Sequence, residues 1–155
     1  MNVDTAVTRI QQETHDISDE YSRERCIQFI NTAIQQVSSL LIAAKWPVLV
    51  QETTVRDGDS IPRNYMNACG TYPLSMTSGA VKITDPSVKD VRFRYFATPN
   101  LIDDASKALP FTHDAINDVI VKSAVLIALN ENEYDITQDT NIVNALQQAI
   151  SAGMS

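Results

Sequence analysis

Apolar side chains recur at helical spacing in four stretches of this chain, and at alternate positions in the segment between the second and third stretches. Val3, Val7, Ile10 and Ile17 stand among Gln, Thr, Glu and Arg, which predicts a first helix over about 3–16. Ser18 or Ser22 can cap the next helix, and Asp19, Glu20 and Glu24 suit its positive N-terminal end. That helix is predicted over about 22–45. Cys26, Phe29, Ile30, Ala33, Ile34, Val37, Leu41 and Ala44 line one face, with Arg25, Gln28, Asn31, Gln35 and Ser38 largely opposite. Ile27 and Ile42 lie off the stripe, so burial on more than one side is expected. Pro47, just after Trp46, should end the helix.

The period then changes. VLVQETTVRDGDSIP reads as a strand entering an Asp57-Gly58 hairpin turn. NYMNACGTYPLSMTSG is rich in turn formers and reads as irregular, with a brief strand around Leu74 to Met76. AVKITD and DVRFRYFA read as two more strands separated by Asp85-Pro86. In the second, Val91, Phe93 and Tyr95 alternate with Arg92 and Arg94, so one face should meet a core and the other water or a partner. The β module is expected over about 47–98.

NLIDDASKA is a polar connector, after which Pro110 announces a third helix over about 112–131 with Thr112 as its N-cap. Ile116, Val119, Ile120, Ala124 and Ile127 form its stripe. Val121, Val125, Leu126 and Leu129 flank it, so it should be buried on several sides. Asp135 and Gln138 have capping-box spacing for a last helix over about 136–150, with Ile142, Val143, Leu146 and Ile150 inward and SAGMS as a loose tail. The fold class expected is α+β and mostly helical: a bundle of about four helices with a small antiparallel β module inserted between the second and third. No internal repeat or linker divides it, so a single domain over 1–155 is expected.

Composition narrows the function. Charged residues make up 20% and apolar ones 44%, ordinary for a globular protein. Residues 1–44 carry 3 basic and 6 acidic groups, 45–99 carry 7 and 5, and 100–155 carry 2 and 8, for a net charge of −7. An acidic chain without a basic stripe is unsuited to neutralising phosphates, which argues against sequence-specific nucleic-acid binding. A surface that repels DNA is still compatible with a conduit through which DNA slides without sticking. No apolar run approaches the ~20 residues of a bilayer span, and MNVDTAVTRIQQETHD is too polar for a signal peptide. The expectation is therefore a chain kept in a cytosol, with no membrane partner.

Candidate chemistry is sparse. Cys26 and Cys69 lack metal-ligand or redox spacing and read as two reduced thiols. His15 and His113 have no ligand partner at a useful spacing and suit surface or capping roles. Asp57-Gly58-Asp59 lacks the register of a calcium loop. Glu131, Glu133 and Asp135 form an acidic knot best read as a solvated loop, with Asp135 as a cap. No nucleophile elbow, phosphate-cradling glycine loop or catalytic triad order occurs, so no enzyme, cofactor or metal is expected. Trp46 and Tyr95 suit either a core or an interface anchor. Arg92 and Arg94 are the better interface candidates, because arginine pairs bidentately with carboxylates and the C-terminal third is acidic.

One succession of segments carries a resemblance. ERCIQFINTAIQQVSSLLIAAKW runs into a strand, then come DGDSIPRNYMNACGTYPL, a terminal strand VRFRYFATP, and LPFTHDAINDVIVKSAVLIALNENEYD with one last helix. Over roughly 20–150 this order resembles the small head–tail connector (adaptor) proteins of tailed bacteriophages. The resemblance implies a structural virion protein, assembled in the host cytoplasm and located at the head–tail interface. It implies a homo-oligomeric, dodecameric ring docked on the portal protein. Such a ring extends the DNA channel and presents a surface for tail or head-closure proteins. It also implies that the C-terminal stretch from Ala145 to Ser155 reaches the portal, with Gln147, Gln148 and Met154 as contacts. Two other readings stand beside it: a head-closure or tail-completion protein, and a small cytosolic interaction domain with no viral role.

Overall fold

A computed structural model describes residues 1–14, 21–104, 106–130 and 134–154, with side chains through Ser151. His15, Ile17, Ser18, Asp19, Glu20, Glu131 and Glu133, which figured in the expectations, lie outside the described residues. The fold is α+β, with four helices and a small antiparallel β module between the second and third. The packing divides into two compact units: a helical unit of Met1–Ala44 with Asn100–Ser155, and a β unit of Lys45–Pro99.

In the helical unit, α1 spans Val3–Glu13, α2 Arg23–Ala43, α3 Asp114–Leu129 and α4 Thr140–Met154. Val3, Ala6, Val7 and Ile10 are the buried stripe of α1, and the Asn2 side chain caps it by accepting from Thr5 N. Ser22 is the cap of α2, accepting from Arg25 N. α3 is the central element and packs against α1, α2 and α4. That position explains its apolar sides, for Ile116, Ile120, Val121, Ala124 and Ile127 are all fully buried. Ile27 of α2 is buried as well, so α2 does bury more than one side. By length and mean hydropathy α2 could pass for a membrane span, but 50% of that window is buried inside the protein.

Several local expectations are corrected. Helix α2 ends at Ala43, short of Pro47: Ala44 caps it, Lys45 turns left-handed at φ 56°, and Pro47 opens a 3-10 turn, Pro47–Leu49. Ala44 is exposed, and Ser38, expected on the polar side, is fully buried. His113, not Thr112, occupies the N-cap position of α3, without a side-chain capping bond. Asp135 caps only a 3-10 turn, Ile136–Gln138, by accepting from Thr137 N. The residue that starts α4 is Asp139, whose Oδ1 accepts from Asn141 N at 2.9 Å and Ile142 N at 3.2 Å. One carboxylate thus replaces the expected capping box. Helix α4 continues to Met154, so SAGM extends the helix instead of forming a loose tail. Ile142, Leu146 and Ala149 are its buried residues, while Val143 and Ile150 are half-buried.

In the β unit, β1 spans Val50–Arg56, β2 Tyr65–Ala68, β3 Leu74–Thr77, β4 Ala80–Ile83 and β5 Asp90–Ala97. One sheet has the order β1-β5-β2 and the other pairs β3 with β4, all antiparallel. β2 falls in the segment expected to be irregular. Its pairing with β5 supplies the order its turn-rich sequence lacks. The Asp57-Gly58 turn forms, with Gly58 at φ 90°, but it does not make a hairpin of neighbouring strands. Instead the chain past the turn runs beside β4, through Gly58 N to Val81 O at 2.8 Å and Val81 N to Asp59 O at 2.7 Å. The alternation read in β5 holds: Val91, Phe93 and Tyr95 are buried with Val55, Val81 and Ala97. Tyr65 and Tyr72 pack their rings on Phe93, with centroids 6.5 and 5.6 Å away.

Candidate functional site

Register decides what the outer face of the three-stranded sheet presents. Arg92 and Arg94 point away from the Phe93 core and are exposed. Glu52 on β1 lies opposite Arg94 in register, yet its carboxylate pairs with the Arg92 guanidinium, two register positions further along. Arg94 is left without an ion-pair partner among the described residues, and so is Lys45. The two arginines named together from sequence therefore differ: one is spent within the sheet and the other is available.

Arg94 and Lys45 line the same depression, of about 490 Å³, with Pro47, Val50, Phe96 and Cys69 also on its walls. The chain brings them there by two local devices. Alternation puts Arg94 and Phe96 on one face of β5. The left-handed turn at Lys45 redirects the chain between α2 and the Pro47 turn. A glycine is usual where a helix ends this way, and a lysine costs about 1 kcal/mol more. Sequence reasoning did not select Lys45, and the missing glycine after α2 was the signal for it. Cys69 is exposed, whereas Cys26 is buried.

The other candidates lie elsewhere. Trp46 is buried, 5% exposed. Gln147 and Gln148 are exposed on α4, where they line a shallow depression of about 380 Å³ with Asn144 and Ser151. Residues 140–155 contain no charged side chain, so that face offers amides and hydroxyls only. Met154 belongs to the last turn of α4, and its side chain is outside the described set. His113 is exposed at the start of α3. Among the described residues no three His, Cys, Asp or Glu side chains come together as a metal site.

Among the described residues, most acidic groups of the helical unit are engaged. Asp118 receives Arg9 at 2.6 Å and Lys122 at 3.2 Å. Partial burial pushes its carboxyl up, but the hydrogen bonds and charges of Arg9 and Lys122 outweigh that and hold it below the usual range. Asp139 is held low by the Tyr134 hydroxyl and the Ile142 amide, and Asp135 by Thr137. Asp4 pairs with Arg23, and Asp114 with the terminal amine at 2.8 Å.

No protein-family model matches the chain, and no curated protein sequence is significantly similar to it.

Proposed function

We propose that the chain is a non-enzymatic structural protein of a tailed-phage virion. It forms a ring that joins the portal to the tail and extends the DNA channel. The observation that carries this reading is the opposition of charge between its two units. The β unit holds 7 basic and 5 acidic groups, net +2, and the helical unit 5 and 14, net −9. Identical copies that meet through two unlike patches make head-to-tail contacts, which close into a ring when the rotation allows. Arg94 and Lys45, without ion-pair partners among the described residues, line one depression of the β unit and support a positive patch there. The uncharged, amide-rich face of α4 is the portal-facing candidate, through Gln147 and Gln148. A lumen formed by an acidic protein repels DNA and lets it pass.

Particles made without this chain test the proposal. The expected outcome is DNA-filled heads that release their genome and never join tails, restored when the purified chain is added. Tailed, infectious particles formed without it would contradict the reading. Tails joined to heads but failing at a later step would indicate a tail-side component instead.

A further inference from the structure

The three-stranded sheet ends in a free edge. β2 is an outermost strand of that sheet, and Met66, Asn67, Ala68, Cys69 and Gly70 are all exposed. Main-chain groups of an antiparallel strand face its partner and the open side in turn, so one hydrogen bond fixes the direction of its neighbours. Cys69 N donates to Arg94 O at 2.9 Å. Cys69 therefore faces β5, and Ala68 turns its N–H and C=O outward. Gly70, just past the strand, has no backbone hydrogen-bond partner among the described residues. The register shift of β2 falls earlier, between Tyr65 and Asn67. The strand YMNA carries neither the charge nor the proline that blunts many sheet edges. Ala68 and Gly70 also line a depression on each face of the sheet, because Arg94 and Phe93 point to opposite faces of β5. The outer one, the 490 Å³ depression, sets Lys45 and Arg94 over Pro47, Val50 and Phe96. Neither cation has an ion-pair partner among the described residues. The inner one, of about 370 Å³, is lined by Tyr65, Tyr72, Leu74, Met76 and Phe93. The Tyr72 hydroxyl accepts from Arg94 N at 3.2 Å, which ties the loop after β2 back to β5 and fixes that wall.

We infer that the Ala68–Gly70 edge binds an extended acidic segment of a partner protein by strand addition. The segment's main chain pairs with the outward groups of β2, and its successive side chains then fall on opposite faces of the sheet. A carboxylate on the outer face meets Lys45 and Arg94, since a guanidinium and an ammonium both favour an anionic acceptor. The next side chain turns to the inner face and enters the tyrosine-lined depression, which selects an apolar group. The ligand is thus an extended peptide in which acidic and apolar side chains alternate. The inference needs neither a ring nor a portal, so it can fail while the ring reading stands.

The probe is a short fluorescent peptide, capped at both ends, in which glutamate alternates with leucine or phenylalanine. Its anisotropy is read against the full chain. It should bind the wild-type protein, while a peptide of the same composition with its glutamates in one block should bind far more weakly. Lys45→Gln with Arg94→Gln should weaken binding of the alternating peptide by about tenfold or more. Ala68→Pro should abolish it by removing an outward donor. Proline is tolerated where the N–H faces away from the sheet, so circular dichroism should not change. If that variant unfolds, N-methylated peptides take its place. Methylating one alternate set of peptide amides should abolish binding, and methylating the other set should leave it intact. Cys69, exposed in the outer depression, should react more slowly with a maleimide when peptide is bound, with the buried Cys26 as the control for folding. A folded wild-type chain that does not bind the alternating peptide overturns the inference. Equal binding of the alternating and blocked peptides, or of the two N-methylated sets, does so too. Self-association in sedimentation velocity that Ala68→Pro removes would assign the edge to a second copy and overturn it as well.

Discussion

Asn117 sits fully buried in α3, with its Nδ2 donating to Phe111 O at 2.7 Å. Among the described residues its Oδ1 has no hydrogen-bond partner, and neither has the buried Ser38 Oγ of α2. These two polar residues should respond oppositely to truncation. Asn117→Ala strands the Phe111 carbonyl and should lower stability by about 1–3 kcal/mol. Ser38→Ala removes a hydroxyl that gains nothing from burial and should be neutral or stabilising by up to about 1 kcal/mol. Urea unfolding midpoints at constant slope distinguish the two. Asp118 adds a pH term. Its folded pKa lies below the ordinary value, so its stabilisation is present above about pH 4 and lost as pH falls through the lowered value. Asp118→Asn should therefore flatten the acid limb of the stability curve, with a screened effect of about 0.5–1 kcal/mol at neutral pH. An unchanged acid limb would mean that the Arg9 and Lys122 pairs contribute nothing.

Elements were legible wherever one period dominated. The stripes of α2 and α3 and the alternation of β5 appear in the structure with the buried faces expected from Phe29, Ile120 and Phe93. Ends and pairings were not legible, for a physical reason. A cap is a bond to one or two backbone amides, and several nearby residues can offer it. Asp135 and Asp139 both carry the right chemistry, and only the 3-10 turn between them decides which one begins α4. Asp139→Ala should accordingly lower helicity and melting temperature more than Asp135→Ala. Equal effects would restore the capping-box reading. β2 was missed because its partner β5 is nearly thirty residues away, and no local pattern announces such pairing. Phe93→Ala should cost about 3–5 kcal/mol, since that ring anchors the packing of Tyr65 and Tyr72. Loss of β-unit protection in hydrogen exchange, with the helical unit intact, is the expected signature.

At the scale of the whole molecule, charge distribution was readable from sequence, while the availability of individual charges was not. Arg92 and Arg94 look equivalent in VRFRYFA, and the cross-strand Glu52 makes them unequal. Lys45 became a candidate only when the turn after α2 brought it to the same depression as Arg94. The opposition between a +2 β unit and a −9 helical unit is what the ring reading draws on. The most direct test is to mix the purified chain with the portal protein of the phage that the proposal requires and weigh the complex by mass photometry. The account predicts a discrete gain of one chain per portal subunit, as closed symmetry requires. A portal whose mass does not change, with the chain remaining free, would contradict it.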